Sequence, residues 1–371
     1  MKERIAFSLA VALAFLVLAQ DKPAWQQKLS RHLQADFPYT KAAIRTQFPK
    51  NNVANKGMAI IVGREAFMCF DTDLLRWAAG WTGGYITEDG VSFKGNHGAS
   101  PRIAGSQKFG NPSIAGWADD KGSFADPRPE PFGPLPRKHV QWRGNYVADD
   151  QVVLSYTVHG VGILELPGSI EKDGQTVFLR SIQHEDITAD LVTLVCEVEN
   201  AKGGVDDGVA ILVAGNQITQ VALMNAPKGS ELEVQDNKRV VAKLVKGTEA
   251  GKFEIRIWSG AKADHAQFAA LAKVASKADF RKVGKNRWPD PVVTQGRMNA
   301  SSTLDEAYVT DVLTSPEKNP WNRRVRFGGL DFFSDGNRAA LSTWDGDVWI
   351  VSGLKNQNLK DLNWSRFASG G

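Results

Sequence analysis

Strand-length runs of apolar or alternating residues, each closed by Gly, Asp or Asn, recur about every ten residues between positions 57 and 258. Runs that short leave no room for helices of ordinary length. They predict a mainly β chain, an antiparallel β-sandwich with one short helix and, beyond it, a partial propeller-like β-meander. The runs occupy residues 58–62, 66–70, 151–158, 162–166, 176–182, 191–199, 209–214, 220–224, 231–234, 239–245 and 252–258. Asp173-Gly174, Asp207-Gly208 and Gly203-Gly204 stand where hairpin turns are wanted, because Gly takes positive φ freely and Asp tolerates it.

Two stretches break this texture. Residues 82–143 are rich in Gly, Pro and aromatic residues and predict few strands. A loop region this long is either functional or wraps the core. Residues 263–278 predict a helix, with Asp264 as its cap, Gln267 three residues on, and Phe268, Leu271, Ala272 and Ala275 on one face. Upstream, residues 20–48 are polar with weak helical periodicity at 25–33. No repeat of fixed period precedes residue 300.

Residues 319–353 change character again. Apolar strands are expected at 328–333, 338–343 and 348–351, separated by Ser334-Asp335-Gly336-Asn337 and Trp344-Asp345-Gly346-Asp347. Such a meander is one blade of a β-propeller or the edge of a barrel. A single blade cannot bury both its faces, so a chain truncated after its first blade is the expectation. The organisation read from the sequence is a signal peptide at 1–19, a β-sandwich domain at 20–280, a linker at 281–302 around Trp288-Pro289-Asp290-Pro291, and a first blade at 303–371.

The N-terminus sets the compartment. A basic tetrapeptide precedes an apolar run at 5–18, and Val17-Leu18-Ala19 puts small residues before a cut at Gln20. This is a secretory pattern, with an uncleaved anchor as its rival, and it predicts a periplasmic or extracellular protein with no membrane span after cleavage. The net charge of +4 over 371 residues is small. The basic residues are scattered, which argues against nucleic acid as a partner. Cys69 and Cys196 are the only cysteines. Each lies in an apolar run and suits a buried position, with a disulfide left open.

The densest group of chemically capable side chains is Asp71, Asp73, Arg76, Trp77 and Trp81. Asp71 and Asp73 share strand parity, so their carboxylates would point the same way. Paired carboxylates serve acid–base work, hold a hard cation or bind sugar hydroxyls, and Trp81 would offer a ring face to a sugar. The competing reading pairs the aspartates with Arg76 and buries the tryptophans. Asn96 and His97, flanked by Gly95 and Gly98, form a second candidate on a loop. His139, His159, His184 and His265 are too scattered to complete a metal site with His97. A Gly-x-Ser-x-Gly elbow, a dinucleotide fingerprint and a Cys-x-x-Cys-His haem motif are all missing from the sequence.

The run at 319–353 followed by LNWSRFASG, with FDTDLLRWAAGWTGG and FKGNHG upstream, resembles large secreted bacterial proteins. In these an uncharacterised N-terminal β domain precedes a six-bladed propeller of the soluble sugar-dehydrogenase (PQQ-type) class and c-type cytochrome domains. The resemblance spans roughly residues 35–371 and stops after the first blade. It implies a quinoprotein-type dehydrogenase as the full-length parent. PQQ and haem c would belong to that parent's C-terminal part, and the chain itself would hold no cofactor. It transfers no catalytic residue onto these positions.

The leading expectation is therefore an exported accessory region, substrate-positioning or carbohydrate-binding, that is not catalytic alone. A free-standing carbohydrate-active hydrolase or lyase using Asp71, Asp73 and His97 is one rival. A structural docking module is the other.

Overall fold

A computed structural model describes residues 23–27, 36–87, 100–129, 133–298 and 308–370. The fold is mainly β. The expected signal peptide, and Asn96 and His97, lie outside the described residues.

The first sheet has seven strands: β1 (Tyr39–Arg45), β2 (Val53–Ile61), β3 (Ala66–Asp71), β4 (Arg76–Thr82), β5 (Ile86–Thr87), β6 (Arg102–Ile103) and β7 (Ser106–Gly110), in the order β5-β6-β1-β2-β3-β4-β7. Every residue of β3 is buried. Met68 and Phe70 face the central core, while Phe67 and Cys69 face a second cluster with Trp25, Trp81 and Tyr85. Burial on both faces explains why AFMCF is apolar without alternation.

The second sheet begins with β8 (Val140–Ala148), β9 (Gln151–Val158), β10 (Val161–Lys172) and β11 (Gln175–His184). Then come β12 (Leu191–Glu197), β13 (Lys202–Asp206), β14 (Val209–Ala214), β15 (Gln217–Met224), β16 (Glu231–Gln235), β17 (Arg239–Leu244) and β18 (Gly251–Ala261). Eight of these strands form one sheet, β13-β14-β15-β18-β11-β10-β9-β8, and β12-β17-β16 form a small third sheet. The first two sheets pack face to face through Met68, Phe70 and Phe109 on one side and Tyr156, Phe178 and Ile182 on the other. Phe109 meets Phe178 edge-on at 5.3 Å, and Phe70 stacks on Tyr156 at 6.0 Å. This is the sandwich that the spacing predicts.

The turns behave as their chemistry requires at Asp173-Gly174 (φ 52° and 74°) and Asp207-Gly208 (φ 45° and 75°). Gly203-Gly204 is a correction, because it lies inside β13 rather than at a turn. A Cβ on Gly203 would stand 2.4 Å from Leu212 Cδ2, so the glycine admits close packing there.

The helix is also corrected. A 3₁₀ turn at Lys262–Asp264 and a helix at Ala266–Leu271 replace the expected sixteen-residue span. Arg256 Nη1 donates to the carbonyl of the C-cap Ala272 (2.6 Å) and to that of Val274 (2.7 Å), which holds the chain to the sheet just after the helix ends. The predicted apolar face survives in Phe268, Leu271 and Ala272, which cover Leu179 and Trp258 on the outer side of the large sheet. A second, four-residue helix at Ala24–Gln27 falls within the weak periodicity near Trp25.

The C-terminal sheet has five strands: β19 (Val292–Thr294), β20 (Phe327–Phe332), β21 (Arg338–Thr343), β22 (Val348–Ser352) and β23 (Leu362–Ala368), in the order β19-β23-β22-β21-β20. The predicted three-strand meander thus gains a fourth antiparallel strand from LNWSRFA. β19 comes from within the stretch read as a linker. The inner face buries Leu341, Trp349, Val351, Leu362 and Trp364 under Val325 and Leu359. This sheet also meets the sandwich. Trp321 belongs to the meander's cluster and also packs against the sandwich core, where Trp288 is buried.

Candidate functional site

The aspartate–tryptophan group expected at the end of β3 is brought together but is closed to solvent. Asp71 is the last residue of β3, while Asp73 lies in the turn that follows, so the two do not share strand parity. The Asp73 backbone N–H instead donates to Asp71 Oδ1 at 3.2 Å. Arg76, the first residue of β4, pairs with Asp71 at 3.3 Å, and both side chains are buried. The remaining guanidinium donors reach Asn111 O (2.6 Å), Pro112 O (2.8 Å) and Ser113 Oγ (3.1 Å). Burial pulls the Arg76 guanidinium below its ordinary value, against the opposing pull of Asp71. Asp73 is half-buried, and burial together with the Asp71 charge raises its carboxyl. Trp81 is fully buried, and its Nε1 donates to the carbonyls of Gly84 and Tyr85, both at 2.8 Å. It has no exposed ring face for a sugar. Arg76 and Asp71 act as a clamp that holds the 111–113 loop to the sheet.

A second buried polar group lies at the centre of the sandwich. Glu165 accepts from Trp77 Nε1 (2.7 Å), Arg180 Nε (2.6 Å) and the Tyr156 hydroxyl. Arg180 also donates to Leu194 O (3.0 Å) and Thr193 Oγ1 (3.2 Å). Burial, then the Glu165 charge, pushes the Tyr156 hydroxyl well above its ordinary value. All these groups are satisfied and sealed, which suits a structural network.

The open chemistry lies elsewhere, where the sandwich meets the meander. Trp288 is held by its Nε1, which donates to Asp36 Oδ2 at 2.8 Å. Phe37 stacks on it at 5.9 Å with 23° between the rings, and the Arg366 guanidinium lies 4.1 Å from its ring centre. Arg287 donates to Asp36 O (2.8 Å), to Asp150 Oδ1 (2.9 Å) and to Asp149 O. Around this braced centre runs a groove of three adjoining hollows. One of about 280 Å³ lies between β2, β10 and residues 275–278. One of about 580 Å³ is walled by Phe37, Trp288 and Trp321. One of about 410 Å³ is walled by Val147, Arg287 and Phe367. Asp150 borders all three. No group of three or more His, Cys, Asp or Glu side chains with metal-binding geometry occurs among the described residues.

Sequence reasoning missed this groove. Its residues come from positions 37, 150, 287, 321 and 367, far apart in the chain. The one local signal was an aromatic residue in each Pro-containing connector, Trp288 before Pro289 and Trp321 after Pro320, where no strand demanded one.

A model of a domain of unknown function, DUF6797, matches residues 68–165. That segment holds the Asp71–Arg76 clamp and one half of the Glu165 network. No curated protein matches the chain. Among solved structures, the periplasmic domain of Thermotoga maritima YidC aligns at 12% identity over 59% of this chain and 96% of that one, with a TM-score of 0.29. A TM-score that low supports no inference about fold or function. No helix among the described residues is long and apolar enough to cross a membrane.

Proposed function

We propose that the chain is the exported, non-catalytic accessory region of a larger sugar- or alcohol-oxidising, cytochrome-linked protein, and that it binds or positions carbohydrate there. The observation that carries this reading is the bare first strand of the meander. Leu330 and Phe332 pair across β20–β21 with Leu341 and Ala339, so they extend the same apolar face. Yet Leu341 and Ala339 are buried, while Leu330 and Phe332 are 50% and 60% exposed. An apolar edge strand left open is a liability unless another sheet covers it. A following blade of the same polypeptide would supply that cover. PQQ would then belong to the completed propeller and haem c to downstream cytochrome segments.

The secretory pattern at the N-terminus supports a periplasmic or extracellular setting. The rival of a free-standing hydrolase or lyase gains nothing from Asp71, which is buried and ion-paired. The docking-module rival shares the bare edge strand but makes no use of the groove.

Hydrogen exchange in β20 tests the reading, measured in this chain and in a longer product carrying the sequence that follows residue 371 in the gene. Slowing by about tenfold or more in the longer product is expected. Equal rates would overturn it. So would reduction of a redox dye by this chain alone when it is given PQQ, calcium and a sugar.

A further inference from the structure

We propose that the groove around Asp150 is a binding site for an extended, neutral polysaccharide chain, with Trp321 and Phe367 as its two stacking platforms. This rests on the carbohydrate-binding reading above and names the site for it.

The shape comes first. Three hollows in series share Asp150, and the two larger ones also share Phe37, Arg287 and Trp288. Each of these two is of the size that takes a small ligand, so in series they suit a ligand made of repeated units. The walls come next. Phe37 and Trp288 are buried, and Trp288 is covered by Phe37 and Arg366. They form the floor. Trp321 is only partly buried and faces the second hollow. Phe367 is 69% exposed and faces the third. One exposed and one partly buried ring therefore flank the braced Arg287–Trp288 centre. Phe367 offers an open apolar face that the C–H face of a pyranose can cover, while Trp321, with Arg366 5.6 Å from its ring centre, offers the part of its ring that borders the second hollow.

The polar groups fit the same ligand. The Asp150 side chain is 88% exposed although Arg287 touches one of its oxygens, so it remains open to sugar hydroxyls. Arg287 is held by three protein acceptors and needs no reorganisation to meet a ligand. The charges balance, because Asp149, Asp150, Lys285 and Arg287 all line the third hollow. A balanced rim disfavours nucleic acid and polyanions. The polar rim also disfavours a lipid chain, which would leave those groups unpaired.

The test is calorimetry of the whole chain against soluble β-glucan, xylan, mannan and pectin. At least one neutral polymer is expected to bind. Phe367→Ala and Trp321→Ala should each weaken that binding about tenfold or more. Asp150→Ala, a change at a side chain 88% exposed, should weaken it by several-fold. Trp344→Ala serves as the control, because that ring is 77% exposed yet borders none of the hollows. It should change nothing. Binding to none of the neutral polymers overturns the proposal. So does binding to pectin alone, capture of an extended peptide instead of a polysaccharide, or binding that Phe367→Ala and Asp150→Ala leave unchanged. None of these outcomes touches the exchange behaviour of β20, so failure here is distinguishable from failure of the accessory reading.

Discussion

Arg366 Nη1 lies 2.7 Å from Asp36 Oδ2, joining the last strand of the meander to the residues just before the first strand of the sandwich. The Arg366 side chain is fully buried, and its other arm reaches Asp347 at 3.1 Å. The same Asp36 oxygen accepts from Trp288. One carboxylate thus ties together the connector, the meander and the sandwich, and it braces the floor of the groove.

Asp36→Ala should destabilise the chain by about 2 kcal/mol, the cost of removing a charged acceptor from two buried donors while Asp347 still compensates Arg366. Urea denaturation of the variant measures it. Exchange should quicken in β23 first, and unchanged stability would show that the tie carries no weight.

Glu165→Gln should cost more, about 3–5 kcal/mol, because it leaves the Arg180 charge buried without its partner. A double change of Glu165→Gln with Arg180→Met should recover part of that loss, since no charge is then stranded and the Gln side-chain oxygen can still accept from Trp77 or Tyr156. A double variant as unstable as the single would contradict this account.

Both cysteines are unpaired and fully buried, Cys69 on the outer face of β3 and Cys196 in the central core. Neither should react with a thiol reagent until the chain unfolds. Burial raises both thiols, Cys196 to about 12. A group raised on folding contributes stability that is fully present below its unfolded value and is lost as pH rises. Stability should therefore decline from near the ordinary thiol value of 9.0 towards about 12. Cys196→Ala should flatten that decline, measured by denaturation at stepped alkaline pH.

His139 and His159 stack at 5.1 Å, and both Nε2 atoms lie 3.0 Å from Ala118 O. Burial, with the neighbouring His159, holds the His139 imidazole below its ordinary value. A lowered imidazole contributes stability above its unfolded value of 6.5 that is lost as pH falls. Acidification below that point should speed exchange at Ala118, whose N–H donates to Val192 O. His139→Gln, which keeps a donor but cannot titrate, should weaken the pH dependence.

The meander should be less stable than the sandwich. Exchange is expected to be faster at residues 327–351 than at 191–214. A meander that exchanges as slowly as the sandwich strands would mark residues 319–371 as part of one cooperative unit. The Asp36–Arg366 tie would then be the reason.

Local pattern was enough for most of the strands. Residues 151–158, 209–214 and 338–343 form β9, β14 and β21 with the predicted bounds. Strand choice there follows from side-chain alternation and turn chemistry, both of which act within ten residues. The strands at Tyr39–Arg45 and Arg76–Thr82 were not legible, because Lys41 interrupts the first run and the second is built around Ala78, Ala79 and Gly80, which favour strands little. The fates of Asp71 and Trp81 depended on long-range packing. An acidic pair beside tryptophans reads the same whether it opens to water or seals under Asn111 and Tyr85. Burial is settled by residues that arrive from elsewhere in the chain, the 111–113 loop over Arg76 and Asp71, and Trp25 and Tyr85 beside Trp81. The groove is the extreme case. Phe37, Asp150, Arg287, Trp321 and Phe367 meet because a carboxylate at position 36 captures an arginine 330 residues later, a contact between distant residues that no local window contains.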